Sequence, residues 1–175
     1  MRSLVGGLTV SVLLAAAQSP VRAQANPIEL GIDAALAIGL DDPRVTSLVI
    51  PIQRFRVGFF TSPTLSWEPW LALSYFSVED GGDFSTANLG LGVLFHLTPD
   101  RTRTQTYLRP FAGFTRVSAG EGDTDAQLGF GVGWKFPFAN RRLATRIEPF
   151  LQHVFSEPEG TTSVGLLFGL SFFPR

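Results

Sequence analysis

Ser163-Val-Gly-Leu-Leu-Phe-Gly-Leu-Ser-Phe-Phe173 decides the fold. Its even positions are Val164, Leu166, Phe168, Leu170 and Phe172. Its odd positions are mostly small or polar: Ser163, Gly165, Gly169 and Ser171, with Leu167 and Phe173 as exceptions. Side chains alternate across a strand, so this is a β-strand with one large apolar face and one small face. Working back from it, the same alternation recurs along the chain. Eight segments carry it, at about 28–40, 48–60, 65–77, 85–97, 105–117, 125–136, 143–155 and 162–173, broken by Gly, Asp, Pro and Asn clusters. Each exceeds the roughly 9–11 residues that a tilted transmembrane strand needs.

Strand one sets Ile28, Leu30, Ile32, Ala34, Leu36, Ile38 and Leu40 against Glu29, Gly31, Asp33, Ala35, Ala37 and Gly39. Strand four sets Leu89, Leu91, Val93, Phe95 and Leu97 against Asn88, Gly90, Gly92, Leu94 and His96, and strand six sets Leu128, Phe130, Val132, Trp134 and Phe136 against Gln127, Gly129, Gly131, Gly133 and Lys135. In strand two, Pro51 marks a bulge or a late start, with Phe55, Val57 and Phe59 outward and Arg54, Arg56 and Gly58 inward. A weak repeat, Trp67-Glu-Pro-Trp70, Leu108-Arg-Pro-Phe111 and Ile147-Glu-Pro-Phe150, opens strands three, five and seven, with each Pro expected near its strand's start.

The first 25 residues read as a cleaved export signal: Arg2, an apolar run from Leu4 to Ala17, and small-x-small cleavage sites ending at Ala23 or Ala25. The apolar run is too short to span hydrocarbon comfortably as a helix. The mature chain, 26–175, is then one domain. Without Arg2 and Arg22 it has 12 basic and 15 acidic residues, a net charge of −3, which gives no case for nucleic-acid binding. With no Cys there is no disulfide, thiolate metal site or Cys nucleophile.

The connectors differ in sign. One set, Thr61-Ser-Pro-Thr64, Thr98 to Thr104 and Ala139-Asn-Arg-Arg142, carries Arg101, Arg103, Arg141 and Arg142 against Asp100. The other set, at 41–44, 78–83, 120–125 and 156–160, holds ten of the 15 acids. An even strand count puts both termini on the basic rim.

Periodicity does not say which face is inside. A soluble lipocalin-like carrier would bury the large residues, and a membrane barrel would turn them outward. The small face has too few charges for a water-exposed surface. Those it has, Glu29, Arg56, Glu68, His96, Arg109, Lys135, Arg146 and Glu148, fall at similar heights and are of mixed sign. They are expected to form one polar layer in the lumen, structural or gating, since an unpaired buried charge is costly. Trp67, Phe95, Trp134, Phe136 and Phe172 are expected as an outward aromatic girdle at the basic rim, with Tyr75, Phe114 and Phe155 towards the acidic rim. The expected fold is an all-β, eight-stranded, antiparallel, up-and-down transmembrane barrel.

The signal, the eight strands, the Glu/Arg-Pro-aromatic repeat and the final Gly165-Leu-Leu-Phe168-Gly-Leu170 stretch resemble the small bacterial outer-membrane β-barrels, OmpA transmembrane domains and OmpX-type proteins among them. The resemblance covers the whole mature chain. It implies outer-membrane localisation, insertion by the outer-membrane machinery, periplasmic termini and acidic loops outside. It departs at the end: such chains usually finish on an aromatic residue, whereas Phe173 is followed by Pro174-Arg175.

Chemistry is sparse. Leu89-Gly-Leu-Gly92 and Gly129-Phe-Gly-Val-Gly133 are strand alternation with no helix after them, not a phosphate loop. His153 faces lipid, and a lipid A-modifying hydrolase would need a nucleophile beside it. Ser156 is three residues on, and parity gives it the opposite face. Glu68 with Glu148 as a glycosidase pair lacks room for a sugar. Glu121-Gly-Asp-Thr-Asp125 reads as a solvated acidic loop rather than a Ca²⁺ site. The expected role is structural or interactive, through acidic loops that meet lipopolysaccharide, divalent cations or other cells. The alternative is a narrow pore or small-ligand transport barrel, with a soluble carrier and a lipid A-modifying enzyme behind it. The expected partners are outer-membrane lipid, lipopolysaccharide and the insertion machinery. No cofactor, metal or catalytic residue is expected, and the chain is expected to be a monomer.

Overall fold

The computed structural model describes residues 28–41, 54–78, 82–118, 123–139, 141–156 and 160–174, with the side chains of 75–84 left out. Eight strands follow one another: β1 (Ile28–Gly39), β2 (Arg54–Ser62), β3 (Leu65–Val78), β4 (Gly82–His96), β5 (Gln105–Ser118), β6 (Asp123–Pro137), β7 (Leu143–Phe155) and β8 (Thr161–Phe172). Each pairs antiparallel with its sequence neighbours, and β8 returns to β1 over ten residue pairs, Leu30↔Phe172 to Gly39↔Ser163. The sheet is therefore a closed barrel with no free edge.

The faces are inverted relative to a soluble barrel. Leu73, Leu89 and Phe114 are about 60% exposed, whereas Arg109, Lys135 and Glu148 have no exposed surface. A belt of this size in water would be a large uncovered apolar surface. In a bilayer it is the lipid-facing wall, and closure leaves no unpaired strand edge in hydrocarbon. This arrangement excludes the lipocalin-like alternative. In the girdle, Trp67, Phe95, Phe136 and Phe172 are exposed and Trp134 is partly so, all by outward alternation, as are Phe114 and Phe155 nearer the other end. The Tyr75 side chain lies outside the described set.

Several boundaries move. Strand two was expected over 48–60. Its first part, with the Pro51 bulge, lies outside the described residues, and β2 runs on to Ser62. The irregularity falls instead between Phe60 and Ser62. There Ser62 pairs with Leu65 and tightens the expected Thr61–Thr64 turn to Pro63-Thr64, with the Thr64 N–H donating to Ser62 Oγ at 3.2 Å. Pairing also continues into stretches expected as loops: Val78↔Gly82 and Val117↔Asp123. Polar rim residues can stay in the ladder because pairing satisfies their backbone groups whatever the side chain is.

The three prolines are not at strand starts. Pro69, Pro110 and Pro149 lie inside their strands, paired on one side with Leu91, Phe130 and Leu166. On the other side each ladder skips two pairs, at Glu68-Pro69 against β2, Arg109-Pro110 against β4 and Glu148-Pro149 against β6. A proline has no N–H to give, so the missing donor opens the ladder on one side only.

Candidate functional site: the lumen

The inward positions build two zones. Near the basic rim, all eight residues expected in the polar layer are buried, and all but His96 meet in one hydrogen-bonded network, to which the structure adds Asp33, Tyr107 and Ser171. Arg56, on β2, donates to three carboxylates: Asp33 at 3.0 Å, Glu29 at 2.5 Å and Glu68 at 3.2 Å. Its remaining nitrogen donates to Ser171 Oγ at 2.7 Å. Lys135 donates to the other Glu29 oxygen at 2.5 Å. Arg146 bridges Glu68 at 2.6 Å and Glu148 at 2.5 Å. Glu148 also accepts from Arg109 through two nitrogens, at 2.8 and 2.5 Å, and from the Tyr107 hydroxyl at 2.7 Å.

Four cations (Arg56, Arg109, Lys135, Arg146) thus face four carboxylates (Glu29, Asp33, Glu68, Glu148) across seven bridges. The layer is neutral in sum and drawn from six strands. Every carboxylate is shared or chelated, which is what makes burial of so many charges tolerable: each would be costly alone. His96 stands at the layer's edge. Its Nε2 pairs with Ser66 Oγ at 2.9 Å, its ring stacks on Phe60 at 5.1 Å, and its Nδ1 has no partner. Below it, Arg101 from the basic-rim connector lies over Phe60 at 3.7 Å and reaches Phe173 at 5.7 Å.

Glycine makes room for this crowding. In an eight-stranded barrel the interior is barely wide enough for its side chains. Tyr107 lies across Gly133, Phe111 across Gly129, Trp70 across Gly90, Phe150 across Gly165, Arg56 across Gly31 and Asp33 across Gly169. A Cβ at any of these glycines would run into that facing side chain. The repeat now has a structural meaning. Its charged residue (68, 109, 148) enters the polar layer, its Pro faces out, and its aromatic (70, 111, 150) covers a glycine one level further from the basic rim.

The second zone begins there. A cavity of about 460 Å³ occupies the half of the lumen towards the acidic rim, lined by small residues of β1 and β8 on one side and by Trp70, Phe111 and Phe150 on the other. Arg54 also points in and lies over the Trp70 ring at 3.9 Å.

The other candidates are placed as follows. His153 faces outward and is half-buried, with Nδ1 3.0 Å from Thr162 Oγ1 and its ring edge-on to Phe155 at 4.6 Å. Ser156 follows the last residue of β7. Arg146 occupies the space between Glu68 and Glu148, so no sugar fits between those carboxylates. Asp123 and Asp125 are on β6 rather than in a loop, and Glu121 lies outside the described residues. Among the described residues no group of three or more His, Cys, Asp or Glu could hold a metal.

No family model matches the chain, and no curated protein matches it in sequence. Solved structures do match. Neisserial surface protein A superposes with a TM-score of 0.65 at 14% identity, over 85% of this chain and 97% of that one. Ail, the attachment invasion locus protein of Yersinia pestis, gives 0.53 at 13% identity, over 84% and 97%. The N-terminal β-barrel domain of Pseudomonas aeruginosa OprF gives 0.50 at 12% identity, over 82% and 97%. With the inverted faces and the closed eight-strand order, these likenesses fix the architecture: the chain has the fold of the small eight-stranded outer-membrane β-barrels.

Proposed function

We propose that this chain is a monomeric outer-membrane barrel with a closed lumen, acting as an anchor for its acidic, outward-facing loop rim. The observation that carries the reading is the polar layer. Eight buried charges joined by seven bridges fill the lumen at this level, and opening a path there would separate pairs that have no solvent to fall back on. A general porin needs many more strands to leave a channel. The barrel then has a mechanical role, with its loops as the working surface. The acids there suit lipopolysaccharide phosphates bridged by divalent cations, or a basic partner on another cell. The neighbours' printed names, a surface protein and an attachment invasion locus protein, fit such a role.

On this reading residues 1–25 are removed on export, the insertion machinery assembles 26–175, and both termini face the periplasm. Purified barrel in planar bilayers should give no discrete conductance steps. Reproducible steps would favour the pore alternative, and their change in an Arg56→Gln variant would locate the gate. Orientation has a clean test, because the chain has no Cys. A membrane-impermeant maleimide should label Asp123→Cys, and not Thr102→Cys, on intact cells; the reverse pattern would invert the barrel. The enzymatic alternative predicts that His153→Ala changes the mass of co-expressed lipid A. The anchor reading predicts no change.

A further inference from the structure

The polar layer closes only half of the lumen. The 460 Å³ beyond it falls within the roughly 300–1,000 Å³ typical of small-molecule sites. The cavity has a sidedness that mere incomplete packing would not give. One wall is small (Ala35, Ala37, Ser163), and the other is aromatic (Phe111, Phe150 and Trp70). Its polar lining is Arg54 with the amides of Asn88, Gln127 and Gln152 and the hydroxyls of Thr161 and Ser163.

Arg54 adds charge to this. It faces the cavity and stacks on Trp70. Its register partner Asp33 gives both carboxylate oxygens to Arg56 instead. The layer below balances four cations with four carboxylates, so the Arg54 charge is left over.

We propose that the outer half of the lumen binds a small amphipathic monoanion, a carboxylate or sulfonate on an apolar, preferably aromatic, body. The anionic group pairs with Arg54, and the body lies between the alanines of β1 and the rings of Phe111 and Phe150. Water alone would fill the cavity without balancing the Arg54 charge, which an anion would pair. The acids of the rim do not forbid an anion. Exposed charges are screened over about 8 Å at physiological ionic strength, so they slow entry more than they weaken pairing inside. The inference rests on the closed layer as the cavity's floor.

The test uses the full barrel in zwitterionic lipid nanodiscs, with 1-naphthoate as probe and 1-naphthamide and 1-naphthylmethylamine as its neutral and cationic counterparts. Isothermal titration, corrected for empty discs, should show saturable one-site binding of naphthoate. Binding should weaken about tenfold for the amide and for Arg54→Gln, the loss expected for one charge-assisted hydrogen bond. Ala37→Phe, which fills the cavity without touching a donor, should abolish it. Ser163→Phe replaces that variant if Ala37→Phe does not show the heat-shifted gel mobility of a folded barrel. Uptake no different from empty discs, or equal binding of the amide, or wild-type affinity in both Arg54→Gln and the filled variant, overturns the inference. Conductance measured on the same preparation separates a failed cavity from a failed floor.

Discussion

Glu148 accepts more hydrogen bonds than any other lumen carboxylate among the described residues, and its removal has a calculable consequence. It accepts five hydrogen bonds, from two nitrogens each of Arg109 and Arg146 and from the Tyr107 hydroxyl. Glu148→Leu leaves Arg146 with Glu68, but it strips Arg109 of its only ion pair among the described residues. Arg109 has no exposed surface, and its Nη1 is already without a partner. Removing one member of a buried pair costs about 3–5 kcal/mol. With a urea slope near 2 kcal/mol per M, the unfolding midpoint should fall by about 2 M. Removing Arg109 as well restores neutrality, so Glu148→Leu/Arg109→Leu should be more stable than Glu148→Leu alone, with the orphaned Tyr107 hydroxyl holding back about 1–3 kcal/mol of full recovery. Tryptophan fluorescence of barrels unfolding from lipid vesicles measures all three midpoints. A single-variant loss under about 1 kcal/mol would refute the reasoning, since that is the scale of a solvated surface pair. So would a double variant less stable than the single one.

The glycine pairing predicts that Gly133→Leu and Gly129→Leu fold in poor yield, because the added side chains meet Tyr107 and Phe111, and that Gly129→Leu recovers in combination with Phe111→Ala; folded fractions read from heat-shifted gel bands check both. By contrast, Asp100→Ala should leave the unfolding midpoint unchanged within the error of the measurement, since the Asp100–Arg103 pair is solvent-exposed. The Asp100 carboxyl is held below its usual range, first by the Thr102 backbone N–H and then by the Thr102 hydroxyl. Its turn contacts are therefore fully present above the unfolded carboxyl value, about 3.9, and are lost as pH falls through the lower folded value; an NMR titration of Thr102 should show a midpoint below that of a free Asp, and a midpoint at or above it would contradict the contact.

The barrel was legible because its signal is strict. Period-two alternation fixes which side chains share a face, and a closed sheet allows no register slip without turning charges into lipid. The layer was legible for the same reason: Glu29, Arg56, Glu68, Arg109, Lys135, Arg146 and Glu148 are the inward charges close to the basic rim. Asp33 and Arg54 were harder. They lie further along their strands, and strand stagger decides how high each stands when the barrel closes. Register pairing brings Asp33 across Gly169, within reach of Arg56, and leaves Arg54 above the layer. The inward aromatics Trp70, Phe111 and Phe150 were hidden by the expectation of a mostly small inner face. Their signal was reciprocal and non-local: each needs a glycine on the next strand, and the glycines at 90, 129 and 165 were present to be matched. The prolines misled because a Pro inside a closed sheet reads as a strand start, whereas here each forgoes pairing on one side and keeps it on the other.

The central claim is an apolar face turned to lipid around a closed, charge-filled lumen. The most direct test is gel mobility, with and without boiling, of the protein recovered from outer membranes of expressing cells. The account predicts a band in that fraction that shifts on heating, the mark of a detergent-resistant closed barrel. A soluble periplasmic protein whose mobility does not change would contradict it.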